Sequence, residues 1–189
     1  MIEEYYPWEG EFSVCNRNGC IAVVLLNFEY IPPSFVAIYG KLKTENIGIE
    51  KIVANVISNP NIRYLAVCGE DIKGHKSGKS LIALHKNGID NNNRIIKAPG
   101  AIPYIENLNR NAIKRFRNQI EIIDLVNIIN KSELDKILYS FNLKSPGSYG
   151  KPYIAIKIKE QLRVKLNDKR AIHSKIIIEY MGKIKKRGD

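Results

Sequence analysis

The sequence predicts an α/β fold, with a largely parallel sheet covered by helices on both faces and a basic, β-rich appendage at the C-terminus. Three observations lead there. Short continuous apolar runs rich in branched residues, such as CIAVVLLN at 20–27, suit strands buried on both faces. Between such runs lie segments whose apolar residues recur at steps of three and four, as on one stripe of a helix. This alternation is the order of βαβ units. Beyond residue 150 the pattern changes to period-two alternation interleaved with lysine, the mark of half-exposed strands.

In chain order, the run 20–27 is the first strand, bounded by Asn18-Gly19 before it and by Ile31-Pro32-Pro33 after it. Residues 36–42 (VAIYGKL) are a second, shorter one. A helix then opens at Thr44-Glu45-Asn46, with Ile49, Ile52, Val53, Val56 and Ile57 as its apolar stripe and Asn59-Pro60-Asn61 as its stop. Ile62 to Cys68 is the next strand, and Leu81-Ile82-Ala83-Leu84 sits on a helix that ends at Asn87-Gly88. Residues 89–108 contain too many turn formers for a long helix, Ala98-Pro99-Gly100-Ala101-Ile102-Pro103 above all, and loops of that length are often functional. A helix over 109–118, a buried strand over 120–126 and a short helix over 131–141 complete the main domain, which is expected to span 1–145. Ser145 to Gly150 reads as a hinge. The expected extension, 146–189, is hairpin-like and packed on that domain, with strands at Ile154–Lys159 and Leu162–Leu166 and a last strand or helix near Ile172–Tyr180.

Composition sets limits on function. At 189 residues the chain holds one domain of ordinary size, with or without an appendage. No run approaches the roughly 18 apolar residues of a membrane span, and the acidic start MIEEYYPWEG does not resemble a secretory signal, so a cytoplasmic protein is expected. Three cysteines, Cys15, Cys20 and Cys68, form neither a disulfide framework nor a zinc-knuckle pattern and read as reduced thiols. The net charge of +11 is uneven, since residues 151–189 carry twelve basic against four acidic side chains, or +8. A nearly balanced main domain argues against a nucleic-acid groove across it. The basic tail is either a solvated face or a docking surface.

The stretch GEDIKGHKSGKS, 69–80, lies between a strand and a helix, where α/β proteins bind phosphates and cofactors. Gly74 to Ser80 looks like a phosphate loop, but that motif places four residues between its glycines and only three stand here. A second reading makes His75 a metal ligand. No other histidine stands at metal-site spacing, with His85 ten residues on and His173 in the tail, so a cage of several protein ligands does not fit. A cofactor that brings its own equatorial ligands needs one imidazole only. Haems and corrinoids meet that description.

The segments YGKLKTENIGIEKIVANVISNPNIRYL (39–65), CGEDIKGHKSGKSLIALHKNGID (68–90) and IIKAPGAIPYIENL (95–108) closely resemble the corrinoid-carrying subunit of the archaeal tetrahydromethanopterin S-methyltransferase. The resemblance covers roughly 12–128. It implies a Rossmann-like fold that binds cobalamin or a related cobamide at the ends of its strands. It also implies a methyl group passed from methyltetrahydromethanopterin to Co(I), then from methyl-Co(III) to coenzyme M or a related thiol, within methanogenic one-carbon metabolism. The family's Lys-Gly-His falls on Lys73, Gly74 and His75, which makes His75 the axial cobalt ligand and the catalytic residue. Thr44, Asn46, Gly69, Glu70, Ser77, Gly78, Pro99, Gly100 and Ala101 are expected around the corrinoid. The glycines would let a flat macrocycle approach the backbone, although Thr44 reads equally well as a helix cap and Pro99-Gly100 as a bend. The general corrinoid pattern D-x-H-x-x-G is met at Gly78 but not two residues before His75, where Lys73 stands, which leaves Glu70 or Asp71 as the carboxylate for the imidazole. Imidazole binding stabilises methyl-Co(III), its loss favours Co(I), and protonation near neutral pH would assist release.

The family's complex-bound member ends in a transmembrane helix, whereas this sequence ends in MGKIKKRGD. The expectation is therefore a soluble methyl carrier that meets other methyltransferase subunits, or methyl donor and acceptor proteins. The alternatives are a corrinoid shuttle or store without turnover, and a phosphate- or nucleotide-binding α/β protein.

Overall fold

The computed structural model describes residues 5–155 and the backbone of three short strands between 170 and 186. The chain divides into two compact units, Met1–Lys157 and Ile158–Asp189. The first is built on a five-stranded sheet. Its strands are β1 (Phe12–Val14), β2 (Ile21–Leu25), β3 (Ile38–Lys41), β4 (Tyr64–Gly69) and β5 (Glu121–Val126), and its helices are α1 (Ile47–Ser58), α2 (Ser77–Asn87), α3 (Arg110–Gln119) and α4 (Lys131–Asn142). The spatial order is β1-β3-β2-β4-β5, with β1 antiparallel to β3 and the other neighbours parallel.

The strand alternation sorts the core into two layers. Ala22, Val24, Leu65 and Val67 face α1, α2 and α3, packing on Ile49, Val53, Ile57, Leu81, Leu84 and Phe116. Ile21, Val23, Leu25, Ala66 and Cys68 face the other way, onto Leu134 and Leu138 of α4. Helices thus cover both faces, unequally. The 26–37 connection between β2 and β3 has no helix and supplies the remaining cover with Tyr30, which donates to Asp135 of α4, and with Phe28 and Phe35.

Each helix begins where a side-chain acceptor meets its first free N–H groups. Asn46 accepts from Ile47 N–H (2.8 Å) and Thr44 Oγ1 from Gly48 N–H (2.9 Å) at α1. Asn109 accepts from Ala112 at α3, and Asn130 from Glu133 at α4. Gly88, at φ 75°, ends α2 with its N–H on the Leu84 carbonyl.

In the first unit four points differ from the sequence-based expectation. β1 has no counterpart in it, because three residues, two of them exposed, carry no periodicity. Helix α2 begins at Ser77, inside the stretch that reads as a loop. β5 is not buried on both faces: it lies at the sheet edge with Glu121 and Asp124 outward, charges that discourage further pairing. The 145–150 segment is pinned rather than hinge-like, with the guanidinium groups of Arg63 and Arg115 both over the Tyr149 ring (5.1 and 4.6 Å to its centre). Tyr149 N–H also donates to Pro60 O (2.8 Å) and Tyr153 N–H to Ile57 O (3.2 Å), so residues 146–155 are packed within the first unit.

The second unit contains a three-stranded antiparallel sheet, β6 (Arg170–Ile172), β7 (Ile176–Glu179) and β8 (Ile184–Lys186). β7 meets the expected last element as a strand. The expected strand at 162–166, and 154–159 beyond its first two residues, lie outside the described residues.

Candidate functional site

Among the parallel strands the order along the sheet is second, first, third, fourth in sequence, so the connections leave β2 and β4 toward opposite edges. Crevices at the carboxyl ends of such strands are where open α/β sheets bind ligands. Three segments converge at that end. One is the β3–α1 corner with Thr44, Glu45 and Asn46; another is the β4–α2 loop with His75; the last is the irregular stretch around Gly100.

Glu45 joins them. Its side chain is nearly inaccessible, at 5% exposure. Oε2 lies 3.1 Å from His75 Nδ1, and Oε1 accepts from Ile102 N–H at 3.2 Å. Burial alone would raise the pKa of this carboxyl, but its own backbone N–H, the Ile102 N–H and the His75 ring outweigh burial and hold it below the usual glutamate value. In the neutral ring, with the carboxylate accepting, Nδ1 carries the proton and Nε2 keeps its lone pair. The His75 side chain is 61% exposed, so that nitrogen is open to a ligand outside the fold.

The loop around His75 is built by Asp71. Its Oδ1 accepts from Gly78 N–H (2.8 Å) and its Oδ2 from Lys79 N–H (2.9 Å). This caps α2, whose preceding residue Lys76 is left-handed at φ 42° and adds no side-chain cap. The same two bonds bear on the phosphate-loop reading. The N–H groups that would wrap a phosphate already hold a carboxylate, and Ser80 Oγ, where a magnesium ligand would be needed, accepts from Gly100 N–H (3.2 Å).

The anticipated residues divide by what they touch. Gly100 has no room for a side chain: a Cβ there would stand 2.7 Å from His75 O, 2.8 Å from Ser80 Oγ and 2.9 Å from Glu45 Cγ. Pro99 and Ala101 lie beside it on the same rim. Gly74, at φ 93°, has no atom within 4 Å of a would-be Cβ, so the backbone next to His75 faces open space. Gly69 and Gly78 are close-packed inward, on Phe28 and Leu26. Ser77 is buried at the first turn of α2, Lys73 is exposed, and Thr44 and Asn46 are occupied in capping α1. The carboxylate beside His75 is neither Glu70 nor Asp71. Glu70 is exposed and its backbone bridges Asn27, while Asp71 is spent on the helix cap. Glu45 takes that place from thirty residues away.

A second buried carboxylate braces the site. Glu50, in the first turn of α1, accepts from the backbone N–H groups of Glu106 and Asn107 and from Asn107 Nδ2. The irregular stretch is therefore tied to the β3–α1 corner at Ile102 and to α1 at 106–107. Among the described residues no group of three His, Cys, Asp or Glu side chains is placed to hold a metal ion. Cys68 is enclosed, and burial pushes its thiol up to about 12, which removes it as a nucleophile.

The sequence model of MtrA, one of the subunits of tetrahydromethanopterin S-methyltransferase, matches residues 1–165. The chain belongs to this family. Its relatives include the tetrahydromethanopterin S-methyltransferase protein of the same kind from Methanosarcina acetivorans, 41% identical over 81% of this chain and 65% of that one. The counterpart from Methanothermobacter thermautotrophicus is 40% identical over 85% and 71%. A Methanosarcina barkeri protein provisionally named as part of a methyltransferase Mtx is 41% identical over 85% of this chain and 82% of its own length. The MtrA family is thus one of methyltransferase components, and other subunits are part of its setting. No helix among the described residues is long and apolar enough to cross a membrane.

Proposed function

We propose that this chain is a corrinoid-binding methyl carrier in which His75 Nε2 is the axial ligand of the cobalt. The observation that carries the reading is the pair of His75 and the buried Glu45: a hydrogen bond to Nδ1 fixes the tautomer and leaves the other ring nitrogen exposed as a Lewis base. The residues present fit such a group. One imidazole is enough for a macrocyclic metal, Gly74 leaves open space beside it, and Ile47, Ile72 and Ile102 expose apolar side chains on the three converging segments.

When bound, the corrinoid supplies a metal centre able to accept a methyl group and give it up. The chain's own part is to present and withdraw an imidazole. Glu45, held as a carboxylate, fixes the ring through its Nδ1 hydrogen bond and so decides which nitrogen is presented. Gly100 and the Ile102 N–H keep Glu45 in register. In this reading the sheet serves as a Rossmann-like frame that delivers its loops to the cofactor.

The methyl donor is methyltetrahydromethanopterin and the acceptor coenzyme M or a related thiol, with other subunits or donor and acceptor proteins as partners. The likeness to a protein named for a different methyltransferase leaves room for a related acceptor. The chain works in the cytoplasm, in keeping with three free thiols. A store or shuttle without turnover would use the same ligand, and methyl transfer separates it from the carrier. The test is reconstitution of the full chain with aquacobalamin followed by gel filtration. Coelution of one red cofactor per chain, and methyl transfer to a thiol once methylated, are expected. A colourless protein peak contradicts binding, and a red protein inert toward thiols contradicts the carrier role.

A further inference from the structure

The far end of α2 and the outer face of α3 line an open concavity of about 610 Å³, with His85, Lys86, Gly88, Arg110, Lys114 and Arg117 among its residues. No carboxylate is among its lining residues. Arg110, Lys114 and Arg117 stand at i, i+4 and i+7 on one stripe of α3, a spacing at which like charges destabilise a helix. Part of this charge has a local purpose. Arg117 Nε and Nη2 donate to the carbonyls of His85 (2.7 Å) and Lys86 (3.0 Å), closing the C-terminus of α2. That does not account for Lys86 and Lys114, whose ammonium groups have no acceptor among the described residues.

The guanidinium groups are held in place in advance of any ligand. Arg110 Nη2 donates to Asp90 O at 2.8 Å, and Gly88, at φ 75°, packs against Arg117, where a Cβ would come 3.3 Å from Nη1. Two anchored guanidinium groups with donors to spare, Arg117 Nη1 among them, stand beside two ammonium groups in a cavity without acids, and together they match an anion whose charge is dense and spread over several oxygens. We propose that this cavity binds a compact molecule carrying two or more phosphate charges. It lies the length of α2 away from His75, and the proposal stands or falls independently of cobalt ligation.

The test titrates the full chain with inorganic tripolyphosphate at low salt by calorimetry, with amide shifts followed by NMR. Saturable binding is expected, with shifts concentrated at residues 85–89 and 110–118. The double variant Lys86→Glu and Lys114→Glu is expected to lose affinity by roughly tenfold or more, as charge-assisted contacts are reversed. Lys114→Gln, which leaves every hydrogen bond described above in place, carries the same test if the reversals disturb folding. Absence of binding, equal affinity in the variants, or shifts confined to residues beyond 157 would overturn the proposal, the last by assigning the anion to the basic C-terminal unit.

Discussion

Glu45 and His75 are thirty residues apart in sequence and meet at 3.1 Å across the carboxyl end of the sheet, one buried and one exposed. A carboxylate in that position decides which imidazole nitrogen is available. Replacing it with an amide removes the charge and keeps the shape. Glu45→Gln is therefore expected to weaken corrinoid binding about 10- to 100-fold, the usual effect of losing such a partner, and to lower the melting temperature modestly at neutral pH. The Glu45 carboxyl titrates below its ordinary value in the fold, so its share of stability is complete above the unfolded glutamate pKa of about 4.3 and is lost as the pH falls through the lowered value. Acid melts of wild type and Glu45→Gln should converge below that range.

Gly100 is the point where three segments touch, and a methyl group has no room there. Gly100→Ala should destabilise by about 1–3 kcal/mol, the range for overpacking, and should weaken corrinoid binding as well, since the displaced atoms are His75 O and Glu45 Cγ. Thermal melts and cofactor titration of the same sample check both effects. Unchanged binding in a destabilised variant would separate Gly100 from the site.

Glu50 supports the site without touching His75. Glu50→Ala removes a buried acceptor from two backbone N–H groups and from the Asn107 amide at the exposed 106–107 segment. A loss of about 1–3 kcal/mol in urea unfolding is expected, from donors that lose their protein partner. Hydrogen exchange should quicken first at 102–108.

His85 provides a control on pH dependence. Burial holds its pKa below the usual histidine value, while Nε2–H donates to Ile120 O at 2.7 Å. The unfolded chain therefore takes up this proton first, so stability falls as the pH drops through about 6.5 and recovers above it. His85→Gln should flatten that slope in unfolding measurements between about pH 5 and 7.5.

Much of the fold is legible in the sequence because its signals are local. The run at 20–27 is continuous because β2 has cover on both faces, and the stripe from Ile49 to Ile57 has helical period because α1 is covered on one. β1 and β8 are not legible, being three residues each and set among polar neighbours. Of the site, His75 stands out as an imidazole on a loop after a strand. Its partner does not. The pairing with Glu45 is made by the parallel register of β3, β2 and β4, which brings the ends of two strands together, and sequence spacing carries no trace of it. The only available cue is an acid directly after Thr44 at a helix start, where an acid is already favoured by the helix dipole. Asp71, seven residues before Gly78, looks available for His75 because nothing in the sequence shows that both its oxygens are used in capping α2.

The central claim is that a nitrogen of His75 binds cobalt, and electron paramagnetic resonance reads that bond directly. The full chain, labelled throughout with nitrogen-15, is loaded with unlabelled cob(II)alamin. A protein nitrogen on the axis splits the cobalt lines into doublets, whereas the cofactor's own unlabelled base gives triplets. Doublets that vanish in His75→Ala are the expected result. Triplets, or lines without nitrogen splitting, in the labelled wild-type protein would contradict it.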